Sequence, residues 1–343
     1  MKDGMNIKAV KIGVVGAGSW GTALADLLAR KGFAVDLWVF EPEVCRQIAE
    51  QRENRLFLPG FALSENLRPS DDIAGVVAEK DLVLIVVPSH VVRETALQMA
   101  PCLGPGTTLV SASKGIENGT QLTMSSVLYE TLPGLDENRL AVLSGPSFAK
   151  EVAHDVPTLV TVASKNRATA GFVQQVFATP VFRVYTGDDV IGVELGGAVK
   201  NVIAIASGII DGLGLGLNTR AALITRGLAE IQRLGLTLGG NPHTFAGLAG
   251  AGDLILTCTG SLSRNYTVGR KIGSGMTLEQ ILSEMHMVAE GVKTTRSVYN
   301  LSCRLGVEMP ISHSVYHVLY DNEDPGKAVK RLMTRNLKRE CDL

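Results

Sequence analysis

Lys200 is the residue of this sequence whose surroundings best suit proton transfer. It stands in the run Gly-Gly-Ala-Val-Lys-Asn at positions 196–201, inside a long apolar stretch with helical spacing. Burial disfavours the charged form of an amine and lowers its pKa, which suits a proton donor or acceptor. A long lysine stem can instead carry the ammonium group out to solvent. The residues alone leave both interpretations open.

Two further charged residues stand beside glycines, where a backbone can come close to a ligand. Lys114 follows the apolar run 107–112 and precedes Gly115, and Asp253 lies in Gly-Ala-Gly-Asp-Leu at 250–254. A solvated turn would also accommodate Lys114, so its position favours a functional role only slightly. A carboxylate such as Asp253 could position a lysine at a reacting group.

An anion clamp is predicted shortly after that carboxylate, where the sequence reads Ser263-Arg264-Asn265. The planar guanidinium group of an arginine fits phosphate oxygens, and serine and asparagine add neutral hydrogen bonds. The same three residues also suit an ordinary helix start, with Ser263 or Asn265 as the cap.

A glycine-rich loop near the N-terminus predicts a dinucleotide site. An apolar run that ends at Val15 leads into Gly16, Gly18 and Gly21, spaced as G-x-G-x-x-G, and a helical pattern continues to Arg30. In such a loop the first glycine permits the turn, the second lets the backbone approach a pyrophosphate, and the third lets the helix pack on the strand. The amides at the helix N-terminus then hold the phosphates.

The acidic residue Glu41 favours NAD over NADP. It follows the second predicted strand, 34–40, and comes twenty residues after Gly21. A carboxylate there accepts hydrogen bonds from a ribose 2′-hydroxyl and repels a 2′-phosphate. An acid followed by proline also suits the first turn of a helix. We therefore predict a preference for NAD, with helix initiation as the alternative explanation.

The composition indicates a compact globular protein with material for two domains. The chain has 343 residues, and 33 Lys and Arg offset 34 Asp and Glu to a net charge of −1. Nothing therefore favours a nucleic-acid or anionic-membrane surface. Five scattered cysteines without a C-x-x-C pair predict a reduced, cytoplasmic protein. Neither the N-terminus nor the apolar stretch 199–217, which contains charged residues and glycines, predicts a membrane span.

Apolar runs that alternate with helical patterns must position these residues. Strands are predicted at 10–15, 34–40, 81–87, 107–112, 140–143, 159–163 and 182–185, and helices between them at 90–100, 122–132 and 168–177. Continuous apolar strands are typical of a parallel sheet buried on both faces, and their alternation with helices predicts a doubly wound sheet. Ligands should gather beyond the carboxyl ends of the strands, at 88–90, 113–115 and 144–147.

The pattern changes after Asp188. Helices are predicted at 190–210, 219–234, 266–272, 278–284, 291–305, 312–320 and 327–333, with few strand runs among them. We therefore predict an α/β protein with an N-terminal Rossmann-type dinucleotide-binding domain over residues 1–188. An all-helical substrate and catalytic domain should follow over residues 189–343.

Two weaker patterns favour binding or structure over catalysis. His313 and His317 share a helix face at metal-ligand spacing, but no further ligand accompanies them, so we predict a structural role and no metal site. The run Gly145-Pro146-Ser147 lacks the second glycine of a G-x-S-x-G nucleophile elbow. We expect Ser147 to bind a ligand through its hydroxyl group.

Seven motifs of this sequence occur in the same order as in a known enzyme family. They occupy residues 16–21, 113–115, 144–147, 196–201, 211–214, 250–254 and 263–265, within a region from Lys8 to Pro310. Together they resemble the NAD(P)-dependent glycerol-3-phosphate dehydrogenases of the bacterial, biosynthetic type. The resemblance implies reversible reduction of dihydroxyacetone phosphate to sn-glycerol 3-phosphate for phospholipid synthesis, by a cytoplasmic homodimer. Many bacterial members that use NADP carry a basic residue where this chain has Glu41, so NADP is the less favoured cofactor.

The resemblance also implies a role for each motif residue. Lys200 would give a proton to the C2 oxygen, Lys114 would stabilise developing negative charge, and Asp253 would orient Lys200. The substrate would be held by Lys114, Gly145, Ser147, Lys200, Asp253, Ser263, Arg264 and Asn265. The cofactor would be held by Gly16, Gly18, Ser19, Trp20, Gly21, Phe40, Glu41, Lys114, Ala149, Arg264, Val288 and Glu290.

The sequence leaves two other functions open. A related dehydrogenase with the same two-domain plan could use Arg264 to bind the carboxylate of a hydroxy acid. A nucleotide-sensing module could bind NAD without chemistry, although Lys200, Asp253 and Arg264 would then have no shared purpose.

Overall fold

The chain forms two compact units. The computed structural model describes residues 9–285, 289–337 and 339–340. One unit comprises Met1–Ser113 and Met124–Val190, and the other comprises Lys114–Thr123 and Ile191–Leu343. The stretch 114–123 thus departs from a division at a single point near residue 188. Lys8 and Val288, both named from the sequence, lie outside the described residues.

An eight-stranded sheet forms the centre of the first unit. Its strands are β1 (Ile12–Val15), β2 (Val35–Trp38), β3 (Leu67–Ser70), β4 (Leu82–Ile85), β5 (Thr108–Ser111), β6 (Leu140–Ser144), β7 (Thr158–Ala163) and β8 (Phe182–Gly187). Their spatial order is β3-β2-β1-β4-β5-β6-β7-β8, and all neighbours run parallel except β6 and β7. The strand order reverses between β1 and β4, which is where such sheets bind nucleotides. This topology confirms the predicted Rossmann-type α/β fold.

Helices connect the strands of this unit. They are α1 (Ser19–Arg30), α2 (Pro42–Gln51), α3 (Ile73–Val77), α4 (Val92–Met99), α5 (Met124–Thr131), α6 (Ala149–Ala153) and α7 (Arg167–Phe177). Every residue of β1, β4 and β5 is buried, as expected for central parallel strands that are covered on both faces.

Two features of the sheet differ from the sequence prediction. The strand β3 was not predicted because it reads Leu-Arg-Pro-Ser, and proline is tolerated there only because β3 lies at the sheet edge. The strand β7 runs antiparallel to β6. A run of apolar and β-branched residues indicates a strand but does not reveal its direction.

The second unit is helical, as predicted. Its helices are α8 (Val190–Gly212), α9 (Gly216–Thr237), α10 (Pro242–Ala246), α11 (Asp253–Thr259), α12 (Arg264–Gly273), α13 (Leu278–Ser283), α14 (Glu290–Leu305), α15 (Pro310–Tyr320) and α16 (Pro325–Met333). A π-helical turn, Leu248–Gly252, leads into α11. The prediction missed α10, this turn and α11 because four glycines between residues 239 and 250 conceal the helical pattern. Although α8 is long and apolar enough to cross a membrane, its apolar window is entirely buried within the protein.

Glycines bring the backbones of α8 and α12 into close contact. A Cβ atom on Gly208 would lie 2.0 Å from a carbonyl oxygen of α12, and one on Gly269 would lie 2.0 Å from a carbonyl oxygen of α8. A second pair of glycines repeats the contact one turn further along both helices. Because α8 carries Lys200 and α12 begins at Arg264, this contact sets the separation between these two site residues.

Replacing Gly208 by alanine should destabilise the protein by about 1–3 kcal/mol, because the added methyl group overlaps main-chain atoms and forces the helices apart. The midpoint of urea unfolding, followed by circular dichroism, measures this change. Gly171→Ala is the matched control, since Gly171 is also helical but a Cβ there meets nothing within 4 Å. That variant should be stabilised by about 0.4–1 kcal/mol. Equal shifts for the two variants would contradict the close contact.

Candidate active site

Asp253 lies between Lys200, the predicted proton donor, and Lys114, which was predicted to stabilise negative charge. Its Oδ1 accepts a hydrogen bond from Lys200 Nζ at 2.7 Å, and its Oδ2 accepts one from Lys114 Nζ at 2.8 Å. The side chains of Asp253 and Lys200 are only 2% and 8% exposed, so Lys200 does not extend to solvent. Two ammonium groups around one carboxylate leave a net positive charge, which favours an anionic ligand.

The environment of Lys200 tunes its acidity. Burial lowers the pKa of Lys200 from 10.5 to about 8, while the Asp253 carboxylate opposes this change and the Lys114 ammonium adds to it. A group with a pKa near the working pH can both give up and regain a proton. Lys200 is therefore suited to act as a general acid in one direction of a reaction and as a general base in the other.

The π-helical turn before α11 places Asp253 next to α8. Asp253 is the first residue of α11 and follows the turn directly. A Cβ atom on Gly196 of α8 would lie 2.4 Å from the carbonyl oxygen of Ala249 in that turn. Only glycine allows the two backbones to approach so closely. Gly196 stands one helical turn before Lys200. The close contact at Gly196 therefore places Lys200 beside the carboxylate of Asp253. Turns of this type often occur at functional sites.

Arg264 begins α12 and offers a cationic group beside the helix start. Ser263 caps the helix, since its Oγ accepts a hydrogen bond from the N–H of Tyr266 at 3.2 Å. Arg264 is exposed, yet desolvation by the surrounding atoms lowers the pKa of its guanidinium, and Glu290 opposes that change. Within the described residues no hydrogen bond engages this guanidinium. The first amides of a helix also lack intrahelical acceptors, so this end of α12 is suited to bind an anion.

Asn265 joins three helices. Its Nδ2 donates to Asn201 Oδ1 on α8 at 2.9 Å, and its Oδ1 accepts from the N–H of Gly291 on α14 at 2.9 Å. Asn265 is 8% exposed. The side chain thus holds the start of α12 in place beside α8 and α14, and its contact with a substrate stays a prediction.

The loop after β1 has the backbone geometry of a phosphate-binding turn. Gly16 adopts a φ of +117°, and a Cβ atom on Gly21 would lie 1.9 Å from the carbonyl oxygen of Gly16. By contrast, a Cβ on Gly18 would meet nothing within 4 Å. The fold itself therefore requires the first and third glycines, whereas the space beside the second is open to a ligand. Gly18 also caps α1 without a side chain, which leaves the first amides of that helix to bind phosphate.

The other predicted cofactor residues of this unit lie at the ends of β1, β2 and β6. Phe40 is 73% exposed and contacts Trp38 edge to face at 6.0 Å. Glu41 stands at the N-cap position of α2, but its side chain makes no capping hydrogen bond. The buried Trp20 Nε1 has no hydrogen-bond acceptor in the described part of the chain. Ser19 Oγ donates to a main-chain carbonyl at 2.5 Å.

The segment after β6 carries the remaining predicted residues. Gly145 adopts a φ of +147°, and a Cβ there would lie 2.9 Å from Val160 Cα, so glycine is required. Ser147 Oγ donates to the carbonyl oxygen of Gly145 at 2.9 Å, and Ala149 begins α6. The structure thus places Lys114, Lys200, Asp253 and the start of α12 in the helical unit. Gly145, Ser147 and Ala149 belong to the sheet unit.

Family models match both halves of the chain. The model described as NAD-dependent glycerol-3-phosphate dehydrogenase N-terminus matches residues 11–170, and the one described as the C-terminus matches residues 189–330. The chain belongs to the NAD-dependent glycerol-3-phosphate dehydrogenase family. The first model covers the phosphate-binding loop, and the second covers Lys200, Asp253 and Arg264.

Curated relatives and solved structures of this dehydrogenase family agree over nearly the whole length. Proteins named glycerol-3-phosphate dehydrogenase (NAD(P)+) from Syntrophobacter fumaroxidans and Citrifermentans bemidjiense are 57% and 58% identical, each over 97% of this chain and 98% and 99% of their own lengths. The crystal structure of glycerol-3-phosphate dehydrogenase from Coxiella burnetii is 40% identical, with a TM-score of 0.91, 96% of this chain covered and 100% of that chain covered. The enzyme from Saccharomyces cerevisiae is 30% identical, with a TM-score of 0.80, and 94% of this chain and 98% of that chain are covered.

Two polar residues of the dehydrogenase site were not singled out from the sequence. Thr257 Oγ1 accepts a hydrogen bond from Lys200 Nζ at 2.8 Å, and Asn201 binds the carboxamide of Asn265. Thr257 follows Asp253 by four residues, which places both on one face of a helix. That spacing would have identified Thr257 if α11 had been predicted. No local sequence pattern pointed to Asn201, because its partner Asn265 lies 64 residues away.

Proposed function

We propose that this chain catalyses the reversible reduction of dihydroxyacetone phosphate to sn-glycerol 3-phosphate, the precursor of glycerophospholipids, with a nicotinamide cofactor. The observation that carries the proposal is that the buried Lys200 and the partly buried Lys114 both pair with the carboxylate of Asp253. A carbonyl oxygen that becomes an alcohol needs positive charge beside it and then a proton. These two lysines supply both requirements.

Lys200 is assigned as the proton donor to the C2 oxygen during reduction, and as the acceptor in the reverse direction. The nicotinamide, when bound, supplies the hydride. Lys114 stabilises the negative charge that develops on the same oxygen, which is a large contribution in a site that excludes water. Asp253 orients both ammonium groups, and Thr257 holds Lys200 through a hydrogen bond at 2.8 Å.

The substrate phosphate is assigned to the start of α12. Arg264 can form two parallel hydrogen bonds with phosphate oxygens, and the first amides of α12 add further donors. The remaining substrate contacts are assigned to Gly145, Ser147, Ser263 and Asn265. Holding the phosphate group orients the C2 carbonyl at the lysines, and such orientation contributes a large part of the rate of an enzyme reaction.

The dinucleotide is assigned to the sheet unit. The open space beside Gly18 and the N-terminal end of α1 suit the pyrophosphate, and the exposed ring of Phe40 offers an apolar surface to the adenosine half. Trp20 Nε1 is a buried donor that a bound cofactor could engage. Further contacts are assigned to Gly16, Ser19, Gly21, Lys114, Ala149, Arg264, Val288 and Glu290.

NAD is the preferred cofactor in this proposal. Glu41 has no capping hydrogen bond to occupy its carboxylate, so it can accept hydrogen bonds from the 2′- and 3′-hydroxyls of a ribose and would repel a 2′-phosphate. We also infer a homodimer from the family resemblance, and a cytoplasmic location from the scattered cysteines, four of which are free in the described part of the chain.

Lys200→Ala should abolish most of the reduction of dihydroxyacetone phosphate while leaving NADH binding intact. Loss of a general acid costs about 100-fold to 10,000-fold in turnover. In the unaltered enzyme, kcat/KM for reduction should fall as the pH rises through about 8, because Lys200 then loses its proton. Loss of NADH absorbance measures turnover, and NADH fluorescence measures binding.

Lys165→Ala is the matched control, since Lys165 is an exposed lysine of the sheet unit that pairs with Glu137. Near-normal turnover by Lys200→Ala would show that another group is the acid. If the unaltered enzyme oxidises neither NADH nor NADPH with this substrate, the proposed function itself is wrong.

Arg264→Ala should raise the KM for dihydroxyacetone phosphate by about tenfold to a hundredfold, since it removes charged hydrogen bonds worth about 1.5–3 kcal/mol. Steady-state kinetics at saturating NADH measure this effect. Arg270→Ala, an exposed arginine in the last turn of the same helix, controls for the loss of a positive charge and should leave KM unchanged. An equal KM in both variants would remove Arg264 from the phosphate site.

The enzyme should show a higher kcat/KM with NADH than with NADPH, and Glu41→Ala should reduce that ratio by weakening NADH binding and relieving repulsion of the 2′-phosphate. Side-by-side assays with the two cofactors measure the ratio. Glu43→Ala is the control, because Glu43 lies in the first turn of the same helix but two residues further from the end of β2 than Glu41. A preference of the unaltered enzyme for NADPH would overturn the role given to Glu41.

A further inference from the structure

The loop 114–123, which begins with Lys114, is held by a buried serine of α14. Ser297 is 1% exposed. Its Oγ lies 2.9 Å from the carbonyl oxygen of Ile116 and 2.8 Å from Oδ1 of Asn118. A hydroxyl group has one proton, so these two acceptors of the loop share it. The attachment joins residues about 180 positions apart in the sequence.

Three further interactions fix the same part of the loop. Ile116 is 2% exposed and belongs to the apolar core of the helical unit, and it pairs with Thr123 in an antiparallel bridge. Asn118 Nδ2 donates to the carbonyl oxygen of Lys293 on α14 at 3.3 Å. The loop therefore has a defined shape against α14, and Lys114 is only two residues from its buried anchor.

The helix α14 also contacts the predicted phosphate site. Its second residue, Gly291, donates its N–H to Asn265 Oδ1, and Glu290 interacts electrostatically with Arg264. Both the Lys114 loop and the start of α12 are thus attached to one rigid helix.

We propose that Ser297 is a positioning residue, which holds the carbonyl group of Ile116 and thereby keeps the Lys114 ammonium at Asp253 and at the substrate oxygen. This inference rests on the proposed function, because the role of Lys114 belongs to that proposal. Ser297 acts through the loop and does not itself contact the reacting atoms.

Ser297→Ala should lower kcat for dihydroxyacetone phosphate reduction by about tenfold, because displacement of a catalytic group by a fraction of an ångström slows an enzyme reaction strongly. KM should change much less, since the Arg264 clamp is retained. The alkaline limb of the pH profile should also move to higher pH. The reason is that the Lys114 ammonium helps to lower the pKa of Lys200, and it would lie further away.

Ser302→Ala is the matched control. Ser302 is a fully buried serine on the same helix, but its hydroxyl group contacts Tyr299 and His313 instead of the loop. It should keep the normal kcat and pH profile. If Ser297→Ala does not fold, Ser297→Cys retains the side-chain size with only a weak donor and should show the same loss.

A double-mutant cycle distinguishes a role of Ser297 in positioning Lys114 from a general disruption of the fold. If Ser297 acts through Lys114, Ser297→Ala should have no further effect on kcat in a Lys114→Ala background. Additive losses, or a Ser297 variant that matches Ser302→Ala in kcat and pH profile, would overturn the inference while leaving the proposed function intact. Absence of turnover in the unaltered enzyme would instead reject the proposed function, and this inference with it.

Discussion

A buried carboxylate shared by two ammonium groups is the interaction on which the helical unit of this dehydrogenase depends. Asp253 is 1% exposed, and a carboxylate at such a depth remains charged only if cations and hydrogen-bond donors surround it. Lys200 and Lys114 provide those partners, one to each oxygen. The arrangement is asymmetric, because one carboxylate must balance two lysines. In the proposed function, this excess positive charge stabilises the negative charge that develops on the substrate oxygen.

A second buried carboxylate shows what the lysines contribute. Glu230 on α9 receives the N–H groups of Ile311 and Ser312 and the hydroxyl of Ser312, and so caps α15. Burial nevertheless raises the pKa of Glu230 to about 7, against the effect of these donors. The neutral donors, together with the charge of Arg233, therefore compensate the burial of this carboxylate only partly. In the Asp253 cluster two direct ion pairs take the place of such donors. Desolvation of this cluster lowers the pKa of Lys200.

Close backbone contact is the geometrical condition for this cluster. Gly196 lets the π-helical turn approach α8, and Gly208 and Gly269 let α12 approach the same helix. The helix α8 thus carries Lys200 and is also the surface against which the elements bearing Asp253 and Arg264 are placed. Side chains at these glycine positions would overlap main-chain atoms of the neighbouring element, so only glycine allows the backbones to approach so closely. The helix α8 therefore provides both the close packing contacts and Lys200, the proton donor in the proposed function.

The amino-acid sequence by itself determined the parts of this protein that depend on local patterns. The strand, glycine turn and helix from Ile12 to Arg30 could be predicted because the signals for them, an apolar run, spaced glycines and a helical pattern, are local in the sequence. Most strands and helices were predicted for the same reason, since periodic burial requires periodic apolar residues. The elements that were not predicted include the edge strand β3, with its proline, the short helices α3 and α6, and the segment from α10 to α11, in which glycines weaken the helical pattern.

Only the tertiary structure decided which residues meet. Asp253 contacts lysines 53 and 139 residues away, and no local pattern encodes such a distance. The assignment of the Lys114 loop to the helical unit likewise follows from Ile116 and Ser297, whose partners become neighbours only after folding. The state of Lys200 was open in the sequence for the same physical reason. Whether a lysine is solvated or buried beside a carboxylate depends on the packing of distant helices around it, and that packing sets its pKa.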